Sequence, residues 1–279
     1  MPVKIITDSV SDIPPAIADE LGIAIVPLLV RFGEETYLDG VDITTDEFYE
    51  KLRKSSTLPS TSVPPLEIFV RTYNRLAQET DEILVITLSS KLSGLYNAAI
   101  QSIALMERKC RIEVIDSRCA VMAQGFVVIK AARAARDGAS LEEIREMVFK
   151  DLPRVEIRAA FDTLEYLRRG GRIGRAQALL GSMLKVNPIV TLKDGIVEPA
   201  GRARSRSKAI DQFYNFVAGY TNIEEVAVEG AACPNDVDLL VRRLGAIFPE
   251  ERIYRSRTTP VIGTHTGPGL ILVAVLGDK

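Results

Sequence analysis

The chain has 279 residues, 47% of them apolar, and a formal net charge of −2. That is enough apolar material for one large or two ordinary domains, and the near-neutral balance excludes a molecule built as a whole to bind polyanions. Three cysteines, Cys110, Cys119 and Cys233, with one histidine exclude a recognisable zinc pattern and suit a reducing compartment.

MPVKIITDSV carries no basic-then-apolar leader, and no apolar run approaches a membrane span, so a soluble cytoplasmic protein is expected. VKIITDS reads as a strand, and PPAIADELG as a helix with prolines at its start and glycine at its end. IAIVPLLVRFG is a second strand-like run. TTDEFYEKLRKS is a capped helix beginning near Thr45, and PPLEIFVRTYNRLAQE another. EILVITLSS, a helix from Gly94 to about Met106, RIEVIDS and the helix AVMAQGFVVIKAARAARDG complete the first series. Near-continuous apolar strands alternating with helices predict a mostly parallel sheet covered on both faces.

Ser140 and Glu143 have capping-box spacing, so a helix opens there, and the texture changes after Pro153. The Asp194-Gly195 pair between apolar runs predicts a hairpin. Helices over about 205–218 and 235–247 and strands IEEVAVEG, RIYRS and LILVAVLG finish the chain. The fold class is α/β in two domains: 1–153, mostly parallel, and 154–279, with some antiparallel pairing.

Several strands end in hydroxyl or acidic residues: TDSVSD, LPSTSVPP, ITLSSKLSG, VIDS and IGTHTGPG. Loops after strand C-termini gather at the ligand-binding edge of open parallel sheets. Ser93 with Gly94 is a routine helix cap or, with the following N–H groups, an anion site. Thr61 and Ser62 lie between Pro59 and Pro64, which stiffen an extended loop. His265 lies among glycines and a proline that predict irregular backbone before the last strand. A catalytic triad lacks its G-x-S-x-G elbow, because Lys91 stands where the first glycine belongs. Nucleotide signatures are missing, so no cofactor is expected, and Asp8, Asp12 and Asp116 are read as backbone-binding residues in preference to metal ligands.

Between Arg168 and Lys208 the sequence carries ten basic residues (168, 169, 172, 175, 185, 193, 202, 204, 206 and 208) against Asp194 and Glu198. Part of this is expected as internal ion pairs, and the rest suits an anionic surface. With Tyr166 the only nearby aromatic, nucleic acid is the weakest partner class.

TDSVSDIP, STSVPP, LSSKLSGLYNAA, VIDS, EYLRRGGRIG and GTHTGPG, in this order from residue 3 to about 276, resemble the DegV family of bacterial fatty-acid-binding proteins. The resemblance implies two α/β domains and a buried long-chain fatty acid. Its carboxylate would be held by Thr61, Ser62, Ser93 and Gly94, with His265 nearby. It further implies a non-catalytic subunit that presents the carboxylate to a separate ATP-dependent fatty acid kinase subunit, for an acyl phosphate used in phospholipid synthesis. Arg172 and Arg202 are then candidates for contact with that subunit or with an anionic membrane surface. Leu95 stands where many relatives have threonine, a change expected to touch the helix surface more than the head group. The competing reading is a hydrolase or phosphotransferase using Ser93 or His265.

Overall fold

Strand β1 (Lys4–Asp8) and helix α1 (Pro15–Leu21) form as the apolar run and paired prolines predict, and Gly22 ends the helix in the left-handed region. The computed structural model describes residues 2–180 and 186–279. The next run, expected as one strand, is two: β2 (Ala24–Val26) and β3 (Leu29–Phe32), which join different sheets. Pro27 lies between them, and a residue without a backbone N–H breaks the ladder there.

There follow β4 (Glu35–Leu38), α2 (Thr45–Lys54), β5 (Ser60–Ser62), α3 (Leu66–Leu76), β6 (Glu82–Thr87) and α4 (Leu95–Ile103). Helix α4 stops short of Met106. Then come β7 (Arg111–Asp116), α5 (Val121–Arg136) and α6 (Leu141–Asp151). Thr44 and Ser140 close full capping boxes with Glu47 and Glu143 at the starts of α2 and α6. Strands β2, β1, β6 and β7 form a wholly parallel sheet in that order. Ile83 to Ile86 of β6 are completely buried, the signature of a strand covered on both faces. A small antiparallel sheet, β4-β3-β5, was not foreseen; its strands are three or four residues long and carry no apolar alternation strong enough to announce them.

The second series comprises β8 (Val155–Ala160), α7 (Glu165–Arg169), β9 (Asn187–Lys193), β10 (Ile196–Ala203), α8 (Arg206–Ala218) and β11 (Asn222–Gly230). It ends with α9 (Pro234–Leu244), β12 (Ile253–Arg257), α10 (Pro260–Thr266) and β13 (Ile271–Asp278). These strands make a six-stranded sheet in the order β10-β9-β8-β13-β11-β12, antiparallel except for β11 with β12. Asp194 and Gly195 both have positive φ (50° and 79°), the geometry a two-residue hairpin needs. Helices α8 and α9 supply a core on one face of this sheet. Helix α5 joins the two series, packing on β1 and β6 and also on β8, β11 and β13, with 12 of its 16 residues buried.

The joint carries buried acids without a buried cation. The Asp8 carboxylate accepts from Val10 N (3.1 Å), Leu88 N (2.8 Å) and Gln124 Nε2 (3.1 Å). Asp12, in the left-handed region, accepts from Thr259 N (3.1 Å), and Glu229 of β11 accepts from Met122 N (2.8 Å) at the start of α5. The second oxygens of Asp12 and Glu229 have no other donor, so the two carboxyls bond one another only when one is protonated. Burial raises Asp8 to about 6 and Asp39 and Glu229 to about 7, and burial together with Glu229 holds Asp12 well above the ordinary carboxylate range.

Because their folded pKa values lie above the unfolded ones, these buried carboxyls contribute their stability in full below about pH 4, and that contribution is lost as pH rises through 6–7. Asp39→Asn is therefore expected to gain on the order of 2–4 kcal/mol over wild type at pH 8 and nothing at pH 4. Urea titrations at the two pH values check this; an equal gain at both would contradict it.

Candidate functional site

Strand β6 ends at Thr87, and the chain then turns through Ser89, whose carbonyl accepts from Leu92 N (2.9 Å) and Ser93 N (3.2 Å). Ser89 Oγ donates to the Gly195 carbonyl (2.8 Å) at the tip of the β9–β10 hairpin. A Cβ at Gly195 would overlap that oxygen, so the hairpin tip needs glycine for space as well as for its φ. The turn delivers Ser93, whose Oγ accepts from Leu95 N (3.3 Å) and keeps its own proton available. Capping by Ser93 thus comes from one residue before the ordinary N-cap position, which Gly94 occupies. Gly94 has φ −75°, and an added Cβ would meet only Val63 at 3.9 Å, so neither backbone nor packing demands glycine there.

Thr61 and Ser62 lie on β5, paired with Val30 and Leu29 of β3. Across from them stands α10. The backbone around His265, expected to be irregular, is a short helix begun by Pro260 and ended by Gly267 (φ 70°). Pro at a first turn and a positive-φ glycine beyond the last are helix punctuation, and the dense glycines had masked it. Thr61 Oγ1 and His265 Nε2 are 2.7 Å apart. His265 Nδ1 is buried with no partner, and a Cβ on Gly170 would overlap it. Burial, then the nearby Arg172 guanidinium, pushes the imidazole down to about 4, so it is neutral at pH 7.

Thr61, Ser62, Ser93, Gly94 and His265 all line one cavity of about 150 Å³. Its apolar wall draws on both halves of the chain, including Val10, Leu28, Ile157, Phe161, Leu192 and Leu272. Val121 also lines it, a β-branched residue held at φ 57°, directly before the Met122 N–H that Glu229 binds.

Arg172, expected on an outer surface, is half-buried and also lines this cavity. Its guanidinium donates to the carbonyls of Leu92 (3.1 Å) and Gly170 (2.6 Å). Arg202 lies elsewhere, exposed on β10. Leu95, expected to affect the helix surface, is completely buried, because the first turn of α4 faces the core. Much of the basic segment is internally paired: Arg168 and Arg169 with Glu165, Arg175 with Glu198, Arg206 with Asp236 and Lys208 with Asp211. Among the described residues Lys193, Arg202 and Arg204 form no ion pair; Lys185 lies outside the described residues. Asp116 accepts from Ser90 N, Ser90 Oγ and Arg118 N, as an acid at a strand end commonly does. No group of three or more His, Cys, Asp or Glu among the described residues is arranged to hold a metal ion. Gly170 is not singled out by the sequence. The doubled glycine of RRGGRIG was the available signal, but its partner His265 is 95 positions away.

The family model described as "Uncharacterised protein, DegV family" matches residues 2–278. The chain belongs to the DegV family. A DegV domain-containing protein of Caldanaerobacter subterraneus is 37% identical over 270 residues, 95% of each chain. A solved DegV family protein from Thermus thermophilus, described for its fatty acid binding, superposes with TM-score 0.91 at 33% identity, covering 99% of this chain and 100% of its own. A stearic-acid-binding protein from Eubacterium ventriosum superposes with TM-score 0.88 at 26% identity over 98% of each chain.

This DegV protein has a single histidine, so its imidazole can be followed without assignment. The C–H signals of His265 are expected not to titrate between pH 5 and 8, because its pKa is pushed down to about 4. Gly170→Ala should displace the ring, lower stability by about 1–3 kcal/mol, and return the titration towards pH 6.5. A wild-type midpoint near 6.5 would contradict the burial described here.

Proposed function

We propose that this cavity takes one long-chain fatty acid, and that the chain presents the carboxylate to a separate ATP-dependent fatty acid kinase subunit. The observation that carries the reading is the gathering of Thr61, Ser62, Ser93 and the neutral His265 on an otherwise apolar cavity drawn from both halves. The fold shared with solved fatty-acid-binding DegV proteins supports it. Tail burial supplies most of the affinity: about 14 methylenes at about 0.8 kcal/mol each give on the order of 11 kcal/mol gross. The polar end fixes orientation and satisfies a carboxylate removed from water.

The tautomer follows from what is orphaned. With the proton on Nε2, the imidazole donates to Thr61 Oγ1 and leaves a bare lone pair at Nδ1; the reverse would bury an unpaired N–H. The Nδ1 lone pair is also the form favoured by the neighbouring Arg172 charge. Thr61 then turns its own O–H towards the ligand, beside the free O–H of Ser93. A catalytic role fits less well, since His265 Nε2 is engaged by Thr61 while Ser93 Oγ is engaged by Leu95 N, so no base is paired with the serine. In this reading residues 1–153 contribute the hydroxyl loops, and residues 154–279 the histidine, much of the apolar wall and the basic surface. Arg202, with Arg204 and Lys193, faces the kinase subunit or touches an anionic membrane surface transiently, in the cytoplasm and without nucleic acid.

Native mass spectrometry of freshly purified protein is expected to show one fatty acid per chain. A clean apo mass, unshifted by added palmitate, would remove the proposal. Ser93→Ala should weaken palmitate binding by about 1.5–3 kcal/mol, read by calorimetry, because an ionised carboxylate loses a donor. Unchanged affinity together with unchanged phosphorylation by the kinase subunit would move the head group away from Ser93.

A further inference from the structure

The six-stranded sheet is split along half the length of one seam. Strands β8 and β9 pair only at Ala159 with Val190 and Ala160 with Ile189. Continuing that register would set Arg158 against Thr191 and Ile157 against Leu192, yet neither pair forms, although both strands run on. On the opposite edges β8 pairs with β13, and β9 with β10, along nearly their full lengths. The splay has a local cause: the hairpin tip is tied by Gly195 to Ser89 of the first half and is drawn off β8.

The opening has two faces. Side chains alternate along a strand, so Ile157 and Leu192 face the cavity while Arg158 faces outward, and Thr191, which borders both spaces, accepts a bond from Arg158 Nη1 at its Oγ1 (3.0 Å). Outside lies a groove of about 970 Å³ whose lining includes Tyr96, Phe149, Leu152 and Val155. Thr191 and Leu192 line both the cavity and the groove. Phe149 is 54% exposed, a large apolar side chain left on the groove.

Volume makes this arrangement matter. A cavity of about 150 Å³ is the size that holds a benzene molecule, far below a chain of sixteen carbons. We propose that the seam between β8 and β9 is an exit for the far end of the acyl chain, with Ile157 and Leu192 as its inner lips and the Arg158–Thr191 bond as its outer latch. This rests on the fatty-acid reading above and extends it: chain length is set by the seam, and acids with a bulky group at the ω end are accepted.

The test uses palmitate and a palmitate analogue with an anthracene group at its ω end, with the full-length protein. The labelled acid is expected to bind within about fivefold of palmitate and, once bound, to be quenched by aqueous iodide. Thr191→Trp, placed in the seam, should weaken the labelled acid by about tenfold or more relative to decanoate measured on the same variant. Rejection of the labelled acid by a protein that binds palmitate, or a bound label shielded from iodide, would overturn the exit and leave a closed, expanding pocket. Failure of palmitate itself to bind would instead remove the fatty-acid reading, and the exit with it. The iodide measurement needs only wild-type protein.

Discussion

The hydrogen bond between Thr61 and His265 joins residues 204 positions apart, and the polar end of the cavity depends on it. It fastens β5, the edge of the small sheet, to α10, the helix that precedes the last strand. Helix α10 is in turn seated by the Asp12 carboxylate on Thr259 N and by the α7 turn, where only a glycine at 170 leaves room for the imidazole. A neutral, largely buried ring is the result of that enclosure. Thr61 and Ser62 would otherwise be a solvated hairpin edge.

The same meeting of halves explains why so many acids are buried without cations. Asp12 and Glu229 each bind a backbone N–H from the opposite half, Asp12 that of Thr259 and Glu229 that of Met122. Each satisfies a donor that the joint would leave stranded, and a retained proton settles their mutual repulsion. The joint therefore gains directionality from groups that would be poor choices for stability alone. Its effect reaches the cavity, because the helix start that Glu229 holds places Val121 in the wall.

Much of this was legible in the sequence, where the determinants are local. The alternation of apolar runs with helices, the capped helix start near Thr45, the capping box at Ser140 and the Asp194-Gly195 turn act within a few residues, and each formed as expected. The polar segments also converged on one cavity, although from strand β5, the turn after β6 and helix α10 and not from loops of a single sheet edge. What could not be read depends on partners distant in sequence. Nothing near Arg172 says that its guanidinium will turn inward to Leu92 and Gly170. Nothing near Ser89 names Gly195, and the Asp12–Glu229 pair joins residues more than 200 positions apart. Pro27 is the exception, a local signal: its missing N–H within a long apolar run divides that run into β2 and β3.

The position of β13 bears on how the chain is made. Residues 271–278 form the last strand, yet it lies between β8 and β11 near the middle of the six-stranded sheet. Until those residues leave the ribosome, β8 and β11 each present an unpaired apolar edge, and the parallel sheet of the first half waits beside an incomplete partner. Such edges template association with other chains. The six-stranded sheet therefore closes only when the apolar strand β13 enters between β8 and β11.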